Sequence, residues 1–196
     1  MWKRSVVPVA CAEGLRPTSE RVRETVFDWL THLFGTLEGC DALDMFAGSG
    51  AMGLEAASRG ADYVDWLDIT RPGIAGLRQA LTRLGADEHM QARVAVAFRF
   101  LQDAPRSYDV IFIDPPFSLD MQVKAARAAF GALKEEGLLY VESPTELLSD
   151  EALESLGVVR VRSGSAGAVR FELLAKAGSG MAGLVRLSKE EKRSRK

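Results

Sequence analysis

The stretch D-M-F-A-G-S-G-A-M-G, residues 44–53, holds three glycines, Gly48, Gly50 and Gly53, in the spacing G-x-G-x-x-G. A glycine turn between a strand and a helix points backbone N–H groups at a ligand, and the helix dipole adds partial positive charge there. Asp68 follows 20 residues after Gly48. A carboxylate at that distance ends the next strand and can accept hydrogen bonds from ribose hydroxyls. Asp44 closes the strand that enters the loop, where a dinucleotide's pyrophosphate would be repelled. It suits a ligand carrying an ammonium and a sulfonium, and S-adenosylmethionine is such a ligand. The plainer readings are a glycine turn with no ligand and an Asp44 that only caps the turn.

The second stretch is Y-D-V-I-F-I-D-P-P-F, residues 108–117. Its apolar run places Asp114 at the carboxyl end of a parallel strand, where open α/β sheets bind ligands. Pro115 and Pro116 forbid further ladder pairing and stiffen the loop. Asp114, the Pro115 carbonyl and the ring of Phe117 then surround one spot. That grouping suits a planar conjugated amine: two oxygens accept its N–H bonds and the ring stacks on it. The alternative is a strand-ending turn without function.

These residues need a framework, and the rest of the chain supplies one. D-A-L-D-M-F, A-D-Y-V-D-W-L-D, A-R-V-A-V-A-F, Y-D-V-I-F-I-D and L-L-Y-V-E-S read as strands, with G-V-V-R-V-R-S and A-V-R-F-E-L-L-A-K as a closing antiparallel pair. Helices are expected from Pro17-Thr18, with Val22, Val26, Trp29, Leu30 and Leu33 inward, and after the glycine loop as far as Gly60. Others start at Thr70, run from Met121 to Gly137, and cover T-E-L-L-S-D-E-A-L-E-S-L. S-V-V-P-V near the start reads as an edge strand. Alternation of this kind means an α/β fold with a parallel sheet covered on both faces.

At 196 residues with 27% charged side chains, the chain suits one globular domain. No apolar run approaches the roughly 18 residues of a membrane span, and no signal-peptide core is present, so a cytoplasmic protein is expected. Cys11, Cys40, His32 and His89 lack ligand spacing, so no metal is expected. Net charge is −2, yet residues 176–196 carry +5. Such a tail is either a solvated appendage or a phosphate-binding arm.

The run L-D-M-F-A-G-S-G-A-M-G-L-E-A-A-S-R-G-A with D-P-P-F resembles the class I S-adenosylmethionine-dependent methyltransferases. R-P-T-S-E-R-V-R-E-T-V-F-D-W-L, residues 16–30, is similar to the bacterial RsmD-type family, a resemblance that covers about residues 2–176. It implies a Rossmann-like seven-stranded sheet with helices on both faces and an antiparallel last pair. It further implies methyl transfer from S-adenosylmethionine to the exocyclic 2-amino group of a guanine in 16S ribosomal RNA, free or within an assembling small subunit. By this resemblance Asp44, Phe46, Gly48, Gly50 and Asp68 bind the cofactor, and Asp114, Pro115 and Phe117 receive the guanine. Arg16, Thr18, Arg21 and Arg23 sit near the substrate mouth, although arginines beside Glu20, Glu24 and Asp28 also suit surface ion pairs.

The expected organisation is an arm and substrate-facing helix over 1–34, a methyltransferase domain over 35–177 and a mobile basic tail over 178–196, in a monomer without membrane contact. Two positions depart from the family pattern. The third strand is followed by no Asp or Asn to read adenine, and Ile69 stands after Asp68 where a basic residue is common. Rival readings are a methyltransferase acting on adenine, DNA or a glutamine side chain, a non-catalytic RNA-binding relative, and more distantly a nicotinamide oxidoreductase.

Overall fold

The computed structural model describes residues 20–86, 88–104, 106–116 and 119–184. The S-V-V-P-V segment, Cys11, Arg16, Thr18, Phe117 and the chain after 184 lie outside the described residues.

One sheet of seven strands has the order β3-β2-β1-β4-β5-β7-β6. The strands are β1 (Asp41–Asp44), β2 (Tyr63–Asp68), β3 (Met90–Val94), β4 (Tyr108–Ile113), β5 (Leu133–Ser143), β6 (Val158–Ala166) and β7 (Val169–Lys176). β1 to β5 pair in parallel, and β7 runs antiparallel between β5 and β6. The winding reverses between β1 and β4, so a crevice opens at their carboxyl ends. Asp44 and Asp114 come from those two strands.

Helices α1 (Glu20–Phe34), α2 (Ala51–Ser58) and α3 (Arg71–Arg83) cover one face; α4 (Ala97–Gln102), α5 (Leu119–Phe130) and α6 (Asp150–Leu156) cover the other. The alternation of side chains along each strand sorts the core into two layers. Ala42, Trp66, Val110, Phe112, Leu138 and Tyr140 face α1–α3, while Leu43, Leu67, Ile111, Ile113, Leu139 and Val141 face α4–α6. Burial on both faces explains why the central strands read as continuous apolar runs.

α1 buries Val22, Val26, Phe27 and Leu30, with Trp29 and Leu33 partly covered. Phe27, absent from the expected stripe, lies 5.6 Å from the Phe112 ring, and Trp29 lies 5.4 Å from Phe171. α1 therefore shares the core of residues 35–177.

Three elements differ from the sequence reading. The helix expected to reach Gly137 stops at Phe130, and β5 starts at Leu133. A-L-K-E-E favours a helix by propensity, but tertiary contacts override it: Lys134 Nζ donates to Asp109 at 2.7 Å and Asp41 at 3.1 Å, holding this segment against the sheet. The third strand ends at Val94, and Ala97–Gln102 folds as α4, begun by the Phe100 N–H donating to the Val96 carbonyl at 3.0 Å. α6 covers only Asp150–Leu156, because Ser149 caps it by accepting from the Ala152 N–H at 3.2 Å. The start of the basic stretch is held as well: the Gly180 and Met181 N–H groups donate to the Glu136 carboxylate, each at 2.9 Å. No helix among the described residues is long and apolar enough to cross a membrane.

Candidate active site at the carboxyl ends of the parallel strands

On the α1–α3 side, four strand rows end in a carboxylate: Asp44 on β1, Asp68 on β2, Asp114 just past β4 and Glu142 near the end of β5. The registers Asp44↔Trp66, Asp44↔Phe112 and Phe112↔Tyr140 show that Asp44 lies one level deeper than the other three. Acidic groups are thus concentrated around the crevice.

Asp44 is 5% exposed, and one carboxylate oxygen accepts the Gly53 N–H at 3.1 Å. The capping role anticipated as the plainer reading is therefore real. Burial pushes its carboxyl up to about 7; the Gly53 bond opposes this and the Asp68 charge adds to it. Asp114 is also raised, chiefly by burial and then by Glu142 and Asp44. A pair of carboxyls pushed upward in this way marks a place where a cation would be welcome.

Asp68 organises the loop. Its Oδ2 accepts the Gly48 N–H at 2.8 Å, while Oδ1 accepts the Thr70 N–H at 2.7 Å and the Thr70 hydroxyl at 2.6 Å. About four lone-pair positions exist on a carboxylate, so room for a ligand hydroxyl remains. Gly48 and Gly50 have φ of 51° and 78°, in the left-handed region that favours glycine. Gly50 precedes α2, and its carbonyl accepts the indole N–H of fully buried Trp66 at 3.1 Å. Trp66 braces the loop from the sheet side.

Phe46 is partly buried, with its ring 6.3 Å from Phe98 of α4 in an edge-on arrangement. Pro115 is buried and Pro116 exposed, so the loop after Asp114 is anchored at its first proline. Arg23 is drawn into an ion pair with Glu55 of α2 at 3.6 Å, and Glu55 also holds Arg59 at 2.7 Å. That network fastens α1 to the helix that follows the glycine loop. Arg21 is exposed on α1.

Sequence reasoning missed Glu142, Tyr140, Trp66 and Thr70. Glu142 carried the signal that revealed Asp44, Asp68 and Asp114: a carboxylate at the carboxyl end of an apolar parallel strand. Trp66 had no local signal, because its bond to Gly50 spans two strands.

The residues fit S-adenosylmethionine by the chemistry of the donor set. The raised carboxyl of Asp44 suits a sulfonium or an ammonium, Asp68 suits ribose hydroxyls, and the two left-handed glycines open the loop to close approach.

A family model described as conserved hypothetical protein 95 matches residues 1–174. The Ribosomal RNA small subunit methyltransferase D of Escherichia coli strain K12 is 37% identical over 149 residues, covering 74% of this chain and 72% of the relative. The protein of the same name from Haemophilus influenzae is 36% identical over 149 residues, covering 73% and 75%. The solved structure of the Escherichia coli protein yhhF matches with a TM-score of 0.72 at 33% identity, over 84% of this chain and 88% of that one. With the glycine loop, Asp68 and the D-P-P turn gathered at one crevice of a seven-stranded sheet, the chain belongs to the ribosomal RNA small subunit methyltransferase D family.

Proposed function

We propose that this chain transfers the methyl group of S-adenosylmethionine to the exocyclic 2-amino group of a guanine in 16S ribosomal RNA. The observation that carries the reading is the placing of Asp114-Pro115 beside Asp44 across the β1/β4 switch point. The cofactor supplies an electrophilic methyl group. The protein's own work is proximity, orientation and electrostatics. Asp114 and the Pro115 carbonyl accept the two amine hydrogens and aim the nitrogen lone pair toward the Asp44 side of the crevice. Phe117 stacks on the guanine in this reading, and Arg16, Thr18, Arg21 and Arg23 line the approach of the RNA. A guanine must leave its stack to reach the crevice.

Adenine recognition follows from the apolar residues that replace the missing Asp or Asn. Ile69, Val94 and Val96 are 71%, 43% and 56% exposed at the carboxyl ends of β2 and β3. The Ala95 N–H donates to the Asp68 carbonyl at 2.9 Å, which holds the two loops side by side. In this reading the exposed Ile69 and Val96 side chains pack against the flat purine.

Asp68→Ala is expected to weaken cofactor binding by roughly 1.5–3 kcal/mol, through loss of a charge-assisted bond and of the tethers on Gly48 and Thr70. Calorimetry with S-adenosylmethionine and NAD checks this; tight NAD binding without S-adenosylmethionine binding contradicts the reading.

The raised carboxyl of Asp44 makes binding depend on pH. A cationic ligand favours the ionised form, so binding expels the proton that Asp44 holds below about 7. Affinity should rise about tenfold from pH 6 to 8, most of it below 7, and level off above, since one pH unit of proton competition is worth at most about 1.4 kcal/mol. Asp44→Asn should flatten the profile. Affinity that is constant from pH 5.5 to 8 in the unsubstituted protein contradicts a cation beside Asp44.

A further inference from the structure

β5 ends in Leu-Leu-Tyr-Val-Glu-Ser, and alternation puts Tyr140 and Glu142 on the face that carries Phe112 and Asp114. β4 and β5 are parallel and in register, Phe112 against Tyr140 and Ile113 against Val141. Continued by one residue, that register sets Asp114 against Glu142, across a strand spacing of about 4.8 Å. The Phe112 and Tyr140 rings lie 6.1 Å apart below them. Fully buried Tyr140 donates its hydroxyl to Glu142 Oε2 at 2.7 Å. From α5, buried Gln122 donates Nε2 to the Glu142 backbone carbonyl at 3.1 Å. Glu142 is therefore fixed at both its main chain and its carboxylate.

Among the described residues, the charges that act on Asp114 are Glu142 from β5 and Asp44 from β1, and Asp68 of β2 acts on Asp44. On the helices over this face, Arg23 of α1 and Arg59 of α2 are committed to Glu55. From β7, Arg170 stands in register with Ser143 and donates to the carbonyls of Gly167, Ala168 and Val169.

We propose that Glu142, pinned by the Tyr140 hydroxyl, sets the charge state in which Asp114 meets the guanine amine; this rests on the functional reading above. Two adjacent carboxyls resist ionising together and share a proton. Tyr140 donates to the ionised form of Glu142, so the shared proton is directed to Asp114. A protonated Asp114 offers a donor where the amine needs an acceptor. Once a cation occupies the crevice beside Asp44, Asp114 gives up that proton and becomes the acceptor. During transfer the nitrogen lone pair forms the bond to the methyl carbon, and the carbon–sulfur pair goes to sulfur. An N–H bond of the cationic amine then breaks, its pair returns to nitrogen, and the proton passes to the Asp114 carboxylate and on to water. Glu142 is a positioning residue, because it acts through Asp114.

The test is carboxyl carbon NMR on the full chain labelled at aspartate and glutamate, with Asp114→Asn identifying the Asp114 signal. Glu142→Gln should move the Asp114 titration midpoint down by about one pH unit or more, the usual size of a like-charge effect. Tyr140→Phe, which keeps the ring, should move it in the same direction by less, because the proton shifts toward Glu142. In RNA methylation the acidic limb of kcat should shift likewise, whereas a merely structural role would lower kcat at every pH. Coincident midpoints in all three proteins overturn the inference, whatever the RNA assay returns. Shifted midpoints in the two variants, together with a wild-type protein that methylates no guanine, leave the coupling standing and overturn the functional reading.

Discussion

Asp114→Ala should lower turnover about 10²–10³-fold while leaving cofactor affinity nearly unchanged. The carboxylate accepts a hydrogen bond from the amine that strengthens as positive charge develops on nitrogen, so it stabilises the transition state more than the ground state. The magnitude is that of losing one preorganised electrostatic partner. Cofactor affinity is spared because Asp44, Asp68 and the glycine loop hold that ligand. Asp114→Asn should be milder, since its amide oxygen still accepts one bond. The same substitutions should make the fold more stable at neutral pH. Burial, Glu142 and Asp44 raise the folded-state carboxyl above its unfolded value. Such a group contributes stability below the unfolded value and loses it as pH rises toward the folded one. Removing it relieves that loss, so activity falls as the melting temperature rises. Single-turnover assays and thermal melts at pH 7.5 read both; full activity in Asp114→Ala contradicts the account.

The second large effect is expected at Gly53. A Cβ there would lie 2.2 Å from Trp66 Nε1 and 2.5 Å from Cε2. Trp66 is fully buried and its indole N–H donates to the Gly50 carbonyl, so it cannot swing aside without leaving that N–H unpaired in the core. The alternative is for α2 to lift off β2, which stretches the Gly53 bond to Asp44. Overpacking plus a lost hydrogen bond should destabilise Gly53→Ala by about 2–4 kcal/mol. Cofactor affinity should fall at least tenfold, because the loop that moves is the one that binds. Urea titration at constant slope measures the first effect. Combining Gly53→Ala with Trp66→Leu should recover part of the loss, as contacting residues couple. Wild-type stability in Gly53→Ala would show that α2 and β2 do not need this close approach.

Much of this site was legible because strand ends are legible. Asp44, Asp68 and Asp114 each close an apolar run, and the run itself fixes which end of the sheet they occupy. Glu142 obeys the same rule on a strand that was also legible, L-L-Y-V-E-S; what was hidden is the start of β5, where polar Lys134-Glu135-Glu136 reads as the end of a helix and the ion pairs of Lys134 that straighten it are long-range. α4 was hidden because Val94, Val96 and Phe98 favour strands locally, while the backbone turns once its pairing with β2 stops at Val94. The arginine cluster divides in the same way. Arg23 has a partner 32 positions away in Glu55, which no helix-face argument can supply.

The central claim is methylation of a guanine amine in 16S ribosomal RNA, and one measurement tests it most directly. Purified protein is incubated with S-adenosylmethionine and small subunits, or their free 16S RNA, from cells lacking this gene. The RNA is then digested and its nucleosides are separated by mass spectrometry. The account predicts N2-methylguanosine approaching one per 16S molecule with the wild-type protein, and at most a trace over the same time with Asp114→Ala. A methyl group on adenine, on a protein glutamine, or on no acceptor in either substrate contradicts it.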